Sequence, residues 1–143
     1  MLVEGYLGID LGGTGAKAGV YDLDGNQLGF AQRGYQPVTD ENGYTEIPID
    51  DIYNAAKESV KEAVRTSGAQ IKAFAVSSQG QTFVSLDEND IPLHKAIIWY
   101  DARAAQQADY LKDAILASDS KDQCPLLHAV ASGPKIMWLR ERL

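Results

Sequence analysis

The sequence feature that most constrains the fold is the N-terminal stretch YLGIDLGGTGAKAGVYDLDGNQL, Tyr6–Leu28. Its first apolar run carries one carboxylate, Asp10, and ends in a glycine-rich turn, after which a second run begins. Asp24 and Gly25 follow as a dipeptide that strongly favours a tight β-hairpin. A third short run, NQLGFAQRGY, comes next. We therefore predict three consecutive strands joined by tight turns, an antiparallel meander at the start of an α/β domain.

A helix and a further strand are predicted after the meander. Asp50 or Asp51 is the predicted N-cap, with Pro48 near the helix start. Gly68 is the stop signal at the other end of the helix. The apolar run Ile71–Val76 predicts a buried strand, and its place after the helix indicates a crossover connection.

The second half of the chain predicts a hairpin and two helices. A turn at Glu88–Pro92 separates two apolar runs, of which Ala96–Tyr100 is typical of a buried strand. A helix is predicted from about Ala102 to Ala117. The last helix is predicted to begin with Pro134 at its first position, where the missing N–H of proline is tolerated.

Composition excludes several classes of partner. With 143 residues and 45% hydrophobic content, the chain can bury the core of one domain or of part of one. The net charge of −7 and the scattered lysines and arginines argue against nucleic acid and anionic membranes. The apolar runs are too short to cross a bilayer. A single cysteine, Cys124, excludes an internal disulfide framework and favours the reducing cytoplasm, where we expect the protein.

Several functions compete for the glycine turn. A P-loop requires a glycine directly before its lysine and a helix after it, but Ala16 precedes Lys17 and a strand follows. A dinucleotide-binding turn also requires a helix, for which Asp24 and Gly25 come too early. Two alternatives stay open on the residues alone. One is a hairpin whose tip amides face a polyphosphate, and the other is an ordinary hairpin with glycines for tightness.

The phosphate-binding alternative gives the polar residues of the turn specific tasks. Thr14 would add a hydroxyl donor and Lys17 a positive charge. Asp10, at the end of the first strand, would hold a hydrated Mg²⁺, which is commonly bound through one or two carboxylates plus phosphate oxygens.

Four segments, in order, resemble the FGGY family of carbohydrate kinases, which share the actin/hexokinase/Hsp70 ATPase fold. GIDLGGTGAKAGVYDLDG is similar to the first phosphate-binding segment of the family, and GYTEIPIDDIYNA to its Gly-aromatic-x-Glu segment. VSSQGQTFVSLDENDIPLHKAIIWYDARA resembles its Ser-x-Gln strand end, small hairpin and Trp-x-Asp-x-Arg motif. SGPKIMWLRER resembles its Pro-Lys-x-x-Trp-Leu helix. The resemblance implies a ribonuclease H-like domain with a mixed sheet.

The resemblance also implies site residues, with ATP and Mg²⁺ as cofactors. Asp10 is expected to serve Mg²⁺. The phosphate-binding residues are expected to be Gly12, Gly13, Thr14 and Lys17. The sugar side is expected to consist of Gln79, Gly80, Gln81, Trp99, Asp101 and Arg103, with Arg103 orienting the pocket from behind.

These sugar-side residues also have structural alternatives. Trp99 could be a core residue, and Asp101 could cap the helix near Ala102. Gln79 and Gln81 could be exposed turn residues.

The sequence departs from the family pattern at two places. Gly13 and Gly15 stand where Thr or Ser is common, so fewer hydroxyls face the phosphates. Gly80 and Gln81 match neither the Arg-Glu pair of typical glycerol kinases nor the Met-His pair of typical xylulokinases. The resemblance of the Trp-x-Asp-x-Arg segment favours the pentulose and hexulose branches of the family. Among small sugars and polyols, a ketopentose such as xylulose is the expected substrate.

The resemblance further implies that residues 1–143 are the N-terminal portion of the first kinase domain. The C-terminal actin-like domain would be absent, and the catalytic base, an Asp, would lie beyond this chain. The fragment alone is then expected to be inactive and its sheet incomplete, so we expect self-association or pairing with the missing half. The alternatives are a non-catalytic half-kinase module that binds a sugar or a partner, and another member of the same ATPase superfamily.

Overall fold

A computed structural model describes residues 3–118 and 127–143. The chain forms two compact units: one joins the residues up to Pro37 to Ile47–Gln79, and the other joins Val38–Glu46 to the residues from Gly80 onward. The strands are β1 (Glu4–Leu11), β2 (Gly15–Tyr21), β3 (Gln27–Gly34), β4 (Val38–Thr39), β5 (Thr45–Ile47), β6 (Gln70–Ser78) and β7 (Ala96–Ile97). The helices are α1 (Ile49–Ser67), α2 (Ala105–Leu116) and α3 (Ser132–Arg140).

The first unit contains a four-stranded mixed sheet in the order β3-β2-β1-β6. Strands β1, β2 and β3 are antiparallel neighbours, which confirms the predicted meander. Strand β6 runs parallel to β1, and the connection that returns from β3 to β6 contains helix α1. Helix α1 packs mainly on β2 and β3. The core between them is built from small and branched side chains: Leu7, Ala18, Val20, Ala31 and Ala63.

The N-cap of helix α1 lies two or three residues before the predicted position. Pro48, in an extended conformation, occupies the N-cap position, so the prediction of Asp50 or Asp51 there was wrong. Both aspartates lie in the first turn instead, where their negative charges interact favourably with the positive end of the helix dipole. The predicted stop is confirmed, because Gly68 adopts the left-handed conformation at the C-cap.

Strand β6 exists as predicted, but it is not buried. Phe74 and Val76 are 69% and 54% exposed. The physical reason is the place of β6 at the edge of the sheet, away from the strands on which α1 mainly packs. Apolar content alone indicates a strand but does not specify which layer covers it.

The second unit contains the small sheet β4-β5-β7 and the two remaining helices. The predicted hairpin around Glu88–Pro92 is present as two isolated antiparallel bridges rather than as continuous strands. Of the predicted buried strand Ala96–Tyr100, only the first three residues are buried, and Trp99 and Tyr100 are exposed.

The helix boundaries in the second unit differ from the sequence predictions. Helix α2 begins at Ala105 rather than Ala102, so the Asp101 side chain does not cap it. Pro134 is the third rather than the first residue of α3. Cys124 lies outside the described residues. Within the described ranges, every helix is too short or too polar to span a bilayer.

Candidate functional site

The first group of predicted site residues surrounds the turn between β1 and β2. Asp10 and Lys17 are directly paired across the two strands. The Lys17 Nζ lies 3.6 Å from the Asp10 Oδ2, and both side chains are about half exposed. The turn Gly12–Thr14 is therefore flanked by the Asp10 carboxylate on β1 and the Lys17 ammonium on β2, which lie side by side and are open to solvent.

The glycines let the turn close tightly against strand β3. The Gly12 N–H donates to the Gly15 carbonyl at 3.0 Å, which closes the loop. A Cβ on Gly15 would stand 2.7 Å from the Arg33 carbonyl oxygen, a backbone atom that can give way only if strand β3 shifts. Glycine at position 15 is thus required by the approach of β3, independently of any ligand.

Tyr35, which the sequence analysis did not assign to the site, binds the glycine turn through two hydrogen bonds. It is buried; its hydroxyl donates to the Gly12 carbonyl, and its N–H donates to the Thr14 carbonyl at 3.1 Å. Burial first, and the charge of Asp10 second, raise the pKa of Tyr35, so the hydroxyl stays a donor. Its position just beyond β3 offered no local signal, because the bonds cross 21 to 23 residues of sequence.

An open depression of about 380 Å³ lies at this turn. It is lined by the residues 12–17 of the turn and by Gln32, Arg33 and Gly34 of β3. Arg33 is turned toward α1, where its guanidinium donates to Glu62 at 3.1 Å. Of the two cationic residues that line the depression, Arg33 is therefore bound to helix α1, and Lys17 is not.

Gln79 follows β6 and lies beside the end of β1. Its N–H donates to the Leu11 carbonyl at 2.9 Å, so the Ser-x-Gln strand end meets the strand that carries Asp10. The side-chain oxygen Oε1 is shielded from solvent and has no hydrogen-bond partner among residues 3–118 and 127–143. A shielded carbonyl without a donor is energetically costly, which makes it a candidate acceptor for a ligand hydroxyl.

The second group of predicted residues belongs to the second unit. Gln81 adopts a left-handed backbone with φ of 65°, which is uncommon for a residue with a side chain. The next residue, Thr82, accepts the N–H of Trp99 on its hydroxyl oxygen at 2.9 Å. The turn at Gly80 and Gln81 is therefore tied to the segment that carries the tryptophan.

Trp99 is not a core residue. Its indole is 46% exposed and meets the ring of Tyr100 edge to face, with ring centroids 5.3 Å apart. An exposed aromatic pair on a fixed backbone presents a flat apolar surface of the kind that packs against C–H groups of a ligand.

Asp101 and Arg103 form a buried pair. Arg103 donates its backbone N–H and its Nε to Asp101 Oδ1, at 2.9 and 2.8 Å, and its Nη2 to Oδ2 at 2.9 Å. The Thr45 N–H donates to the same Oδ2 at 2.5 Å. Burial alone would raise the pKa of Asp101, but these bonds outweigh it and hold the pKa below its usual range.

The guanidinium of Arg103 is enclosed on its remaining sides by residues that the sequence reasoning did not assign to the site. Its Nη1 donates to Glu46 Oε1 at 2.7 Å. Its centre lies 4.5 Å from the ring of Tyr44 and 5.1 Å from that of Trp138. All three lie in segments that carry the family resemblance, yet more than 30 residues of sequence separate each from Arg103.

The structure thus gathers the predicted residues into two sets. Within the first unit, one turn and the adjoining strand end hold Asp10, Gly12, Gly13, Thr14, Lys17 and Gln79. Within the second, one segment and its tied turn hold Gly80, Gln81, Trp99, Asp101 and Arg103. Across residues 3–118 and 127–143, no three His, Cys, Asp or Glu residues are grouped as a metal site.

The chain is similar to known carbohydrate kinases in sequence and in fold. A glycerol kinase of Trichlorobacter lovleyi is 33% identical over 142 residues, which are 96% of this chain and 29% of the relative. A xylulose kinase of Staphylococcus epidermidis is 29% identical over 99% of this chain and 28% of its own length. The solved structure of a Plasmodium falciparum glycerol kinase with ADP superposes with a TM-score of 0.84 at 19% identity, covering 98% of this chain and 29% of that one.

These similarities confirm the predicted α/β fold of the actin/hexokinase type with a mixed sheet. The chain spans less than a third of the length of the curated relatives described above. The model of the FGGY family of carbohydrate kinases, N-terminal domain, matches residues 5–143, nearly the whole sequence. The chain therefore belongs to the FGGY family of carbohydrate kinases.

Proposed function

We propose that the protein carrying this chain transfers the γ-phosphoryl group of ATP to a hydroxyl of a small sugar or polyol, with a ketopentose such as xylulose favoured. The chain would supply the floor for the phosphates and part of the sugar pocket in the cytoplasm. The observation that carries the proposal is the glycine turn with Asp10 and Lys17 paired at its base, in a chain of a carbohydrate kinase family.

On the phosphate side, Gly12, Gly13 and Thr14 offer the turn, and Lys17 offers the positive charge. Asp10 fits Mg²⁺, because it is a half-exposed carboxylate at the edge of the turn and because this ion keeps several waters beside one or two carboxylates. Bound there, Mg²⁺ would neutralise charge on the phosphates. Lys17 and the turn would orient the phosphate chain, and the Asp10 carboxylate would hold the ion.

On the sugar side, Trp99 offers an apolar surface for the C–H face of a sugar. Gln79 and Gln81 offer amides, which both donate to and accept from hydroxyl groups. Two observations support these roles, because each carries a cost in free energy: the Oε1 of Gln79 has no hydrogen-bond partner in the part of the chain that the structure describes, and Gln81 has a left-handed backbone. Gly80 leaves open space, because a Cβ there would meet nothing within 4 Å.

Asp101 and Arg103 are proposed to shape the sugar side by fixing the segment that carries Trp99. An ionised carboxylate offers about four acceptor positions, and Asp101 already receives four hydrogen bonds. A sugar hydroxyl would therefore bind Asp101 only in exchange for one of these donors.

Phosphoryl transfer also requires a base on the attacking hydroxyl and a closure that excludes water. We propose that these come from polypeptide beyond residues 1–143 and that the isolated chain has no kinase turnover. We also propose that the isolated chain self-associates, or binds the remaining part of the kinase, where strand β6 leaves Phe74 and Val76 exposed.

The test is a sugar-dependent ADP-release assay on the full-length product of the reading frame that encodes this chain. A panel of ketopentoses, ketohexoses and glycerol should give turnover with at least one acceptor, and most strongly with a ketopentose. Trp99→Ala should raise the KM for the sugar far more than the KM for ATP, whereas Tyr53→Ala, an exposed aromatic on α1, should change neither. Absence of turnover with every acceptor would contradict the proposal, and sugar binding without turnover would favour the half-kinase module.

A further inference from the structure

Lys135 is a fully buried cation that no part of the proposed reaction uses. It lies on helix α3, and its exposed fraction is zero. Its Nζ donates to the Ile98 carbonyl at 2.8 Å and to the Trp99 carbonyl at 3.0 Å. Burying an ammonium is costly unless it is hydrogen-bonded, and here two consecutive carbonyls provide that compensation.

The two carbonyls lie where strand β7 has ended and the chain turns toward Asp101. The Asp101 N–H donates back to the Ile98 carbonyl at 3.0 Å, which closes this turn. The Trp99 N–H is already bound to the hydroxyl of Thr82. Lys135 thus holds the carbonyl side of a peptide whose N–H side is held by another residue, so the Trp99 backbone is fixed in two directions.

Fold stability alone gives a poor reason for a lysine at this place. Buried ionic groups can often be replaced by apolar side chains of similar volume without loss of stability. Burial lowers the pKa of Lys135 to about 8, with Asp101 raising it and Arg103 lowering it further, so the environment disfavours the charged form. A methionine would fill similar volume without this penalty, but it could not hold either carbonyl.

We propose that Lys135 is a positioning residue of the sugar site, which clamps the backbone at Ile98 and Trp99 and so fixes the direction in which the Trp99 indole is presented. The inference rests on the proposed function only for what the indole binds. The clamp itself is a property of the second unit: it holds the backbone of Trp99 and leaves the ring exposed.

The first experiment tests the clamp through the fluorescence of Trp99 and requires no enzymatic activity. The chain contains two tryptophans, so a Trp138→Phe background leaves Trp99 as the single tryptophan, whose emission can be excited selectively at the red edge of the absorption band. In that background Lys135→Met should shift the emission of Trp99 and alter its quenching by iodide, while the far-ultraviolet circular dichroism stays the same. Lys112→Met on the exposed face of α2 is the matched control and should change neither. An unchanged Trp99 signal in folded Lys135→Met would overturn the inference.

The second experiment measures kinetics in the full-length product. Lys135→Met should raise the KM for the sugar by about tenfold or more and leave the KM for ATP within about twofold, because only the sugar side depends on the clamp. Equal changes in both constants, or in neither, would contradict a positioning role. Should Lys135→Met fail to fold, Lys135→Gln replaces it, because its shorter side chain is polar and keeps an amide donor. The Trp99 fluorescence and the two KM values are then measured on Lys135→Gln, with the same expected changes. A shifted Trp99 signal in a protein that turns over no acceptor would sustain the clamp and refute the proposed function.

Discussion

Asp101 and Arg103 hold each other in near-complete isolation from water, with the Arg103 Nε 2.8 Å from the Asp101 Oδ1 and both side chains buried. Asp101→Asn should therefore lower the free energy of unfolding by on the order of 3 kcal/mol, since Arg103 would lose half of its compensating charge. Urea unfolding of the chain measures this. Asp24→Asn, in the exposed β2–β3 turn, is the control and should cost less than about 1 kcal/mol. If Asp101→Asn also lowered the free energy of unfolding by less than about 1 kcal/mol, a buried ionic pair would be contradicted.

Gly15→Ala should disturb the β2–β3 approach. Its new Cβ would stand 2.7 Å from the Arg33 carbonyl oxygen, and the next nearest atoms also belong to the backbone of β3, so relief requires a shift of that strand. We expect a loss of about 1 to 3 kcal/mol in stability together with weaker binding of MgADP by the full-length protein. Gly80→Ala is the matched control for stability, because its Cβ would lie in open space. Equal stability of the two variants would show that the close contact is relieved by a small strand shift.

Tyr35→Phe removes only the hydroxyl that supports the glycine turn. The Gly12 carbonyl loses its donor, so stability should fall by about 1 kcal/mol. The more specific expectation is a higher dissociation constant for MgADP, measured by calorimetry, with the KM for the sugar unchanged. Tyr53→Phe, an exposed tyrosine of α1, should leave both values unaltered. Loss of sugar affinity instead would show that Tyr35 acts elsewhere.

The stability of the chain should depend on pH through Lys135. Its pKa of about 8 in the folded chain lies below the ordinary 10.5, so between these values the unfolded chain binds more protons. The free energy of unfolding contributed by Lys135 should then rise with pH from about 8 to about 10, and this contribution is lost as the pH falls through 8. Asp101 and Arg103, the charged groups that act on it, keep their charges throughout this range, because the pKa of Asp101 is lowered and that of Arg103 is raised.

Unfolding of the chain and of Lys135→Met at several pH values isolates this contribution. The free energy of unfolding of the wild type should rise relative to that of Lys135→Met as the pH rises. The series should stop near pH 10, because the raised pKa of Tyr35 acts with the opposite sign above that value. Parallel curves for the two proteins would show that the ammonium is not destabilised by burial.

The edge strand β6 predicts self-association of the isolated chain. Phe74 and Val76 are exposed apolar residues on a strand with one open edge, which favours pairing with other polypeptide. Sedimentation velocity should detect species larger than the 15.5 kDa monomer, and Phe74→Lys with Val76→Lys should shift them toward the monomer. Val38→Lys, at an exposed residue of β4, is the comparison and should leave the association unchanged.

The sequence predicted most reliably what neighbouring residues determine. The meander follows from alternating runs and from Asp24-Gly25, whose signal lies within a few residues, and the left-handed Gly68 ends α1 where the pattern indicated. The N-cap was wrong because Pro48 accepts the extended conformation that an aspartate was expected to adopt. The exposure of Phe74 could not be predicted, because burial depends on layers that strand propensity does not specify.

The candidate site divides in the same way. Asp10 and Lys17 are seven residues apart on adjoining strands, so the turn between them predicts their pairing. The partners of Asp101 and Arg103 are Thr45 and Glu46, 56 and 57 residues away, and no local pattern predicts such contacts. The resemblance marked both segments without indicating that they meet.

This difference in sequence separation also bears on the order in which the chain folds. The pairing of Asp10 with Lys17 and the bonds from Tyr35 to the turn lie within the first 35 residues, and local contacts form fast because little chain entropy is lost in closing them. The backbone of Trp99, in contrast, stays without its clamp until Lys135 has been synthesised. On the ribosome, the glycine turn would therefore form well before the backbone of Trp99 is held, which leaves Trp99 and Tyr100 accessible to chaperones in the nascent chain.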